Sequence, residues 1–175
     1  KDLPKNERLF ECHIENELDN LKNSGGSANK APLVSDGQFR RYRIAIAATG
    51  EYTNFHGGTV ALAMAAMVTT MNRVNGVYEK SISTTMTMVA NNNLLVYTNA
   101  STDPYTNGNP GAMITQNQTN TNSVIGTANY DIGHVFGTNS GGVAGLGVVC
   151  VADNKARGVT GSGAPVGDPF DIDYV

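Results

Sequence analysis

Apolar residues recur along this chain in two rhythms, and the switches between them mark its elements. Val60, Met64, Met67, Met71, Val74 and Tyr78 follow one another at alternating spacings of four and three. That period gathers them on one helical face and predicts a long helix from about Thr59 to Tyr78, opened by Gly57-Gly58. Ala61, Ala63, Ala65 and Ala66 favour the helix by propensity and allow it to approach a sheet closely. Before it, Tyr42 to Ala48 is almost continuously apolar, as in a strand covered on both faces. Thr49-Gly50-Glu51-Tyr52 ends that strand. Thr84 to Ala90 alternates and predicts a half-exposed strand, which Leu94 to Tyr97 either continues or follows as a short one. Turn signals at Asp103-Pro104, Asn107-Gly108 and Asn109-Pro110 lead to a second helix over Met113 to Ile125. Tyr130 to Phe136 predicts a third strand and Val143 to Val149 a glycine-rich fourth at a sheet edge. Arg157 to Thr160 makes a short fifth. Beyond Gly161, Pro165 and Pro169 oppose regular structure and predict a loop.

Strand, helix, strand, helix, strand is the order of a mainly parallel sheet joined by crossovers. The expected fold class is α/β: a twisted, mainly parallel five-stranded sheet, an antiparallel glycine-rich edge strand and a long crossover helix. A hairpin between the third strand and the glycine-rich one would supply the antiparallel edge. Lys1 to Gln38 has a different texture, charged and sparsely apolar. Leu9 to Ile14 has the makings of a short strand and Glu15 to Leu21 of a helical turn or two. Asn23 to Asn29 is small, polar and glycine-rich, as linkers are. Residues 1–40 therefore form an arm or the tail of a propeptide, and residues 41–175 form the folded unit.

Composition narrows the function classes. The chain has 175 residues and a net charge of −3, enough length for a real core and no basic footprint for nucleic acid. Its longest apolar run, around Val60 to Val68, is too short and too interrupted to span a bilayer. Cys12 and Cys150 are far apart and form no C-x-x-C pair, which excludes thioredoxin-type and zinc-ribbon readings. Either they pair in an extracytoplasmic setting, or one or both stand alone.

Several local patterns invite chemistry. His56-Gly57-Gly58 follows a strand and opens a helix, like an oxyanion-hole turn, but no G-x-S-x-G nucleophile elbow accompanies it. Gly145-Leu146-Gly147 lacks the third glycine and the helix of a dinucleotide-binding turn. On an edge strand, those glycines would instead let another extended chain lie close and hydrogen-bond to free peptide groups; packing alone would also explain them. His13, His56 and His134 have no metal-ligand spacing, and the sequence contains no H-E-x-x-H. His134 reads as a structural histidine within a strand. Asp168, Asp171 and Asp173 either hold a hard cation or form a solvated loop.

Taken in order, Arg43 to Tyr52, the helix from Gly58 to Tyr78, Asp131 to Phe136, Gly145 to Cys150, Gly158-Val159 and Phe170 to Val175 resemble the reprolysin-like zinc metallopeptidases. These are a metzincin branch that includes the ADAM proteases. The Thr-Gly-Glu-Tyr turn and the Asn-rich middle bring the secreted bacterial subgroup nearest, and the resemblance covers residues 40–175. It implies the N-terminal subdomain of a metzincin catalytic domain, from a secreted bacterial enzyme in which zinc activates a water to cleave a peptide bond. It also implies that a peptide or protein substrate lies antiparallel along Val143, Ala144, Gly145, Leu146, Gly147 and Val148.

The family's next motif, A-H-E-x-G-H, would follow Val175. The expectation is thus a chain cut just before its zinc helix, with no zinc, no catalytic residue and no hydrolysis of its own. Cys150 would match a cysteine paired with a downstream one. Residues 1–40 would correspond to the end of a propeptide, in which Cys12 would hold a latency position or serve as a plain thiol. A sheet face left uncovered by a missing helix would favour self-association. The rival reading is a secreted binding or adhesion module without catalytic residues.

Overall fold

The computed structural model describes residues 12–15 as backbone, and residues 37–138 and 141–175 with their side chains. Its elements, in chain order, are β1 (Cys12–Glu15), β2 (Arg40–Ala48), α1 (Gly50–Phe55), α2 (Val60–Ile82), β3 (Thr84–Met88), α3 (Pro110–Val124), β4 (Ile132–Gly137), β5 (Gly141–Gly145) and β6 (Gly158–Gly161). A short π-helical turn, Phe170–Tyr174, follows. The strands form one sheet in the order β1-β5-β6-β4-β2-β3. All neighbours are parallel except β5 and β6. Strands β2 to β6 are the expected five-stranded, mainly parallel sheet with its antiparallel glycine-rich member, and the arm adds a sixth strand. The helical turn expected over Glu15 to Leu21 lies outside the described residues apart from Glu15, which ends β1.

β2 shows why the sheet is covered on both sides. Successive side chains of a strand point to opposite faces. Ile44, Ile46 and Ala48 enter a core with Met67, Met71 and Val74 of α2 and with Phe136. Ala45 and Ala47 enter a second core with Met113 and Ile114 of α3 and with Val135 and Val159. α2 keeps the expected stripe, with Met67, Met71 and Val74 buried. It runs on to Ile82, where Ser83 takes a left-handed conformation and closes it.

Three expectations change. The glycine-rich strand does not pair with β4; β4 lies between β2 and β6, and β5 pairs antiparallel with β6. Leu94–Tyr97 is no full strand, because a side chain stands in for one. Asn92 Oδ1 accepts from Ile46 N at 2.7 Å and its Nδ2 donates to Ile46 O at 2.9 Å. That amide fills the place beside β2 between the end of β3 and a single bridge from Ala48 to Val96. The turn after β2 is itself a helix, α1, capped by Thr49 Oγ1 accepting from Tyr52 N at 3.2 Å. Gly50 begins it because a Cβ there would sit 2.2 Å from the backbone nitrogen of Ala100.

Candidate functional site: the β5 edge

β5 is short and built of small residues. Its register on β6 runs from Gly141 opposite Gly161 to Ala144 opposite Gly158. Val143 is buried in the core beneath α3, whereas Ala144 is exposed. Only Val143, Ala144 and Gly145 of the six expected contact residues lie in the strand; Leu146, Gly147 and Val148 form the turn beyond it. The expected extension to Val149 fails because Gly147 (φ 69°) and Cys150 (φ 63°) adopt left-handed backbone conformations, which bend the chain away. Cys150 is exposed, and its thiol is in no disulfide; its amide donates to Asp131 O at 3.0 Å.

The return from this turn is fixed by polar side chains. Lys155 is buried, and its ammonium donates to Tyr130 O at 2.6 Å and to Thr127 O while lying over the Tyr130 ring. The next residue, Ala156, is held through both of its main-chain groups by α3. Asn117 Nδ2 donates to Ala156 O at 2.7 Å, and Gln118 Oε1 accepts from Ala156 N at 2.7 Å. Arg157 O then accepts from Gly145 N at 2.9 Å. The register of the β5 edge therefore traces back to two amides on α3. Replacing Asn117 by Ala leaves Ala156 O buried without this donor, at a cost of about 1–3 kcal/mol. Denaturant unfolding should show that loss, and amide exchange should show Gly145 loosening ahead of β2.

Beside the edge, a pocket of about 160 Å³ is lined by Gly145, Leu146, Gly147, Val148, Val151, Asn154 and Arg157. A second cavity, of about 220 Å³, opens on the α2 face of the sheet between Ile44, Ile46, Met71, Val74, His134, Phe136 and Val175.

The other sequence candidates fall into structural roles. His134 Nε2 lies 2.8 Å from Thr160 Oγ1, and desolvation lowers its pKa to about 4. His56 caps the C-terminus of α1, meets Pro165 O through Nε2 at 3.1 Å and packs on Tyr52; burial lowers its pKa. The side chain of His13 is outside the described residues. The acidic terminal residues neither float in solvent together nor converge as a cation site. Buried Asp171 accepts from Thr70 Oγ1 at 2.7 Å and faces Arg73 Nε at 3.4 Å, while Asp168 also pairs with Arg73. Sequence reading missed this latch between α2 and the terminal turn because the partners stand about a hundred positions apart. Among the described residues, no three His, Cys, Asp or Glu side chains group as metal ligands.

No long apolar helix capable of crossing a membrane occurs among the described residues. Comparison with individually curated proteins returns no match. The family model for metallopeptidase family M12B, reprolysin-like, matches residues 39–175. That match takes in every element from β2 to the terminal turn, the glycine-rich edge included, and the chain belongs to the reprolysin-like M12B metallopeptidase family.

Proposed function

We propose that this chain is the substrate-binding, N-terminal part of a secreted bacterial zinc metalloendopeptidase. In this reading an extended peptide lies antiparallel to β5 and hydrogen-bonds to its backbone. The observation that carries it is the build of β5: a glycine- and alanine-rich strand, last of the five strands β2 to β6 and flanked outside by β1 alone, whose small residues admit a second backbone closely. Gly145 donates inward to Arg157 O. Peptide groups alternate in direction along a strand, so those of Gly142 and Ala144 face the outer side.

The described side chains do not fit a zinc site. His134 is committed to Thr160 and His56 to Pro165 O, and the sequence has no H-E-x-x-H. We assign the zinc ligands and the general base to sequence following Val175, and predict that residues 1–175 neither hold stoichiometric zinc nor cleave casein. Metal analysis and a casein assay test this. One tightly bound zinc per chain, or hydrolysis stopped by a chelator, would overturn it. Residues 1–40 belong to the propeptide in this reading, and Cys150 to a disulfide with a later cysteine. In this reading an apolar sheet face left uncovered by the missing helix would drive self-association, which light scattering would detect as a mass rising with concentration.

A further inference from the structure

At the other end of the sheet lies β3, which among the described residues pairs with β2 alone. Ser83 O accepts from Arg40 N, and Val89 N donates to Ile44 O. The odd positions of this segment therefore turn their peptide groups towards β2. Those of Thr84, Met86 and Met88 face the opposite way, because direction alternates along a strand. At the middle position a side chain takes the place of a further strand. Asn75 of α2 donates through Nδ2 to Met86 O at 2.8 Å, and its Oδ1 accepts from Met86 N at 2.9 Å. We propose that Asn75 closes the β3 edge against a second copy of this chain. The inference concerns a different edge from β5 and does not depend on the substrate reading.

Left open, β3 is built to pair with itself. Its sequence, Thr84-Thr85-Met86-Thr87-Met88, has no charge, no proline and no glycine, the composition of an edge that recruits another chain. Two β3 edges running antiparallel about a twofold axis at Met86 would exchange both hydrogen bonds of a Met86–Met86 pair and set Thr84 opposite Met88. Asn75 occupies the two groups on which that pair would centre. Beside the edge, a groove of about 470 Å³ includes Phe39 and Val68 in its lining, both exposed, and would offer the second copy apolar surface. The amide is carried to its place by the helix: Asn75 stands one turn after Met71, which α2 buries against the sheet. An amide suits the task because it offers a donor and an acceptor together, as a peptide group does. Asn92 meets Ile46 N and O in the same way within the sheet.

The test uses the full 175-residue chain. Asn75→Ala removes the amide, whereas Asn75→Asp keeps an acceptor for Met86 N and sets a charge at the edge. In dilute solution the Met86 amide should exchange at least tenfold faster in Asn75→Ala than in the parent. Thr85 and Thr87, whose amides face β2, should keep the parent's rate, and Asn75→Asp should leave Met86 protected. At rising concentration, sedimentation equilibrium should give Asn75→Ala a mass above the parent's, and its Met86 exchange should slow again as copies pair. Asn75→Asp should keep the parent's mass. Association through another face is common to all three proteins and cancels in this comparison. Equal Met86 exchange in the parent and Asn75→Ala would overturn the proposal, and so would an exposed Met86 amide without gain in mass. Thr85 and Thr87 accelerating together with Met86 would also overturn it, because Asn75 would then be holding β3 in place.

Discussion

Phe136→Ala should cost about 3–5 kcal/mol, the range for removing a fully buried aromatic ring. Phe136 is completely buried, with ring centroids 5.5 Å from Tyr52, 5.2 Å from Phe170 and 5.5 Å from His134. It joins β4 to α1 and to the terminal turn, three elements that meet nowhere in sequence. The cavity left behind could not collapse easily, because β4 is held between β2 and β6. A domain of this size has only about 5–15 kcal/mol to lose, so thermal unfolding should drop by about 10 °C or more. Phe39→Ala, at a residue 56% exposed, should change stability by about 0.5 kcal/mol or less. Equal losses at the two positions would mean that the aromatic cluster does not organise this face.

Acid should weaken the fold well before its carboxylates titrate. Thr160 Oγ1 donates its one proton to Tyr174 O at 3.2 Å. The hydroxyl must then accept from His134, which assigns the proton of the neutral ring to Nε2. Nδ1 is left against Gly158, where a Cβ would lie 2.4 Å from it. Burial lowers the folded pKa from 6.5 to about 4. Below pH 6.5 the unfolded chain binds a proton that the folded chain refuses. The stabilisation is therefore complete above pH 6.5 and declines as pH falls towards 4, by roughly 2–3 kcal/mol at 1.36 kcal/mol per unit. His56, also lowered, acts in the same direction. Denaturant unfolding at pH 7.5 and pH 4.5 should show this slope, and His134→Gln should remove most of it. A slope unchanged in His134→Gln would contradict the assignment.

The parts of this fold that could be read from sequence were those governed by local periodicity. The α2 stripe and the almost unbroken apolar run of β2 each follow from one element burying itself against its neighbours, and both were placed within a few residues. What escaped reading was set by side chains acting as backbone. Asn92 replaces a strand residue beside Ile46, and Asn117 and Gln118 fix Ala156, so α3 holds its sheet partly with amides where a hydrophobic stripe would be sought. Asn117 and Gln118 look out of place on a buried helix face, and their tertiary hydrogen bonds to Ala156 reverse that. The β5 edge was legible as a glycine-rich strand, but not its limits or its partner. Those depend on the left-handed turn at Gly147 and on β6 arriving from beyond it. The pairing of β1 with β5 links residues about 130 positions apart, and no local pattern encodes it.

In the function we propose, β5 serves a peptidase whose metal and base lie in following sequence. Reading the natural coding sequence past the codon for Val175 tests it most directly. An H-E-x-x-H motif is expected within the next few codons, in frame with the terminal turn. A stop codon there, or a continuation without that motif, would contradict it and favour a binding module that never carried the chemistry.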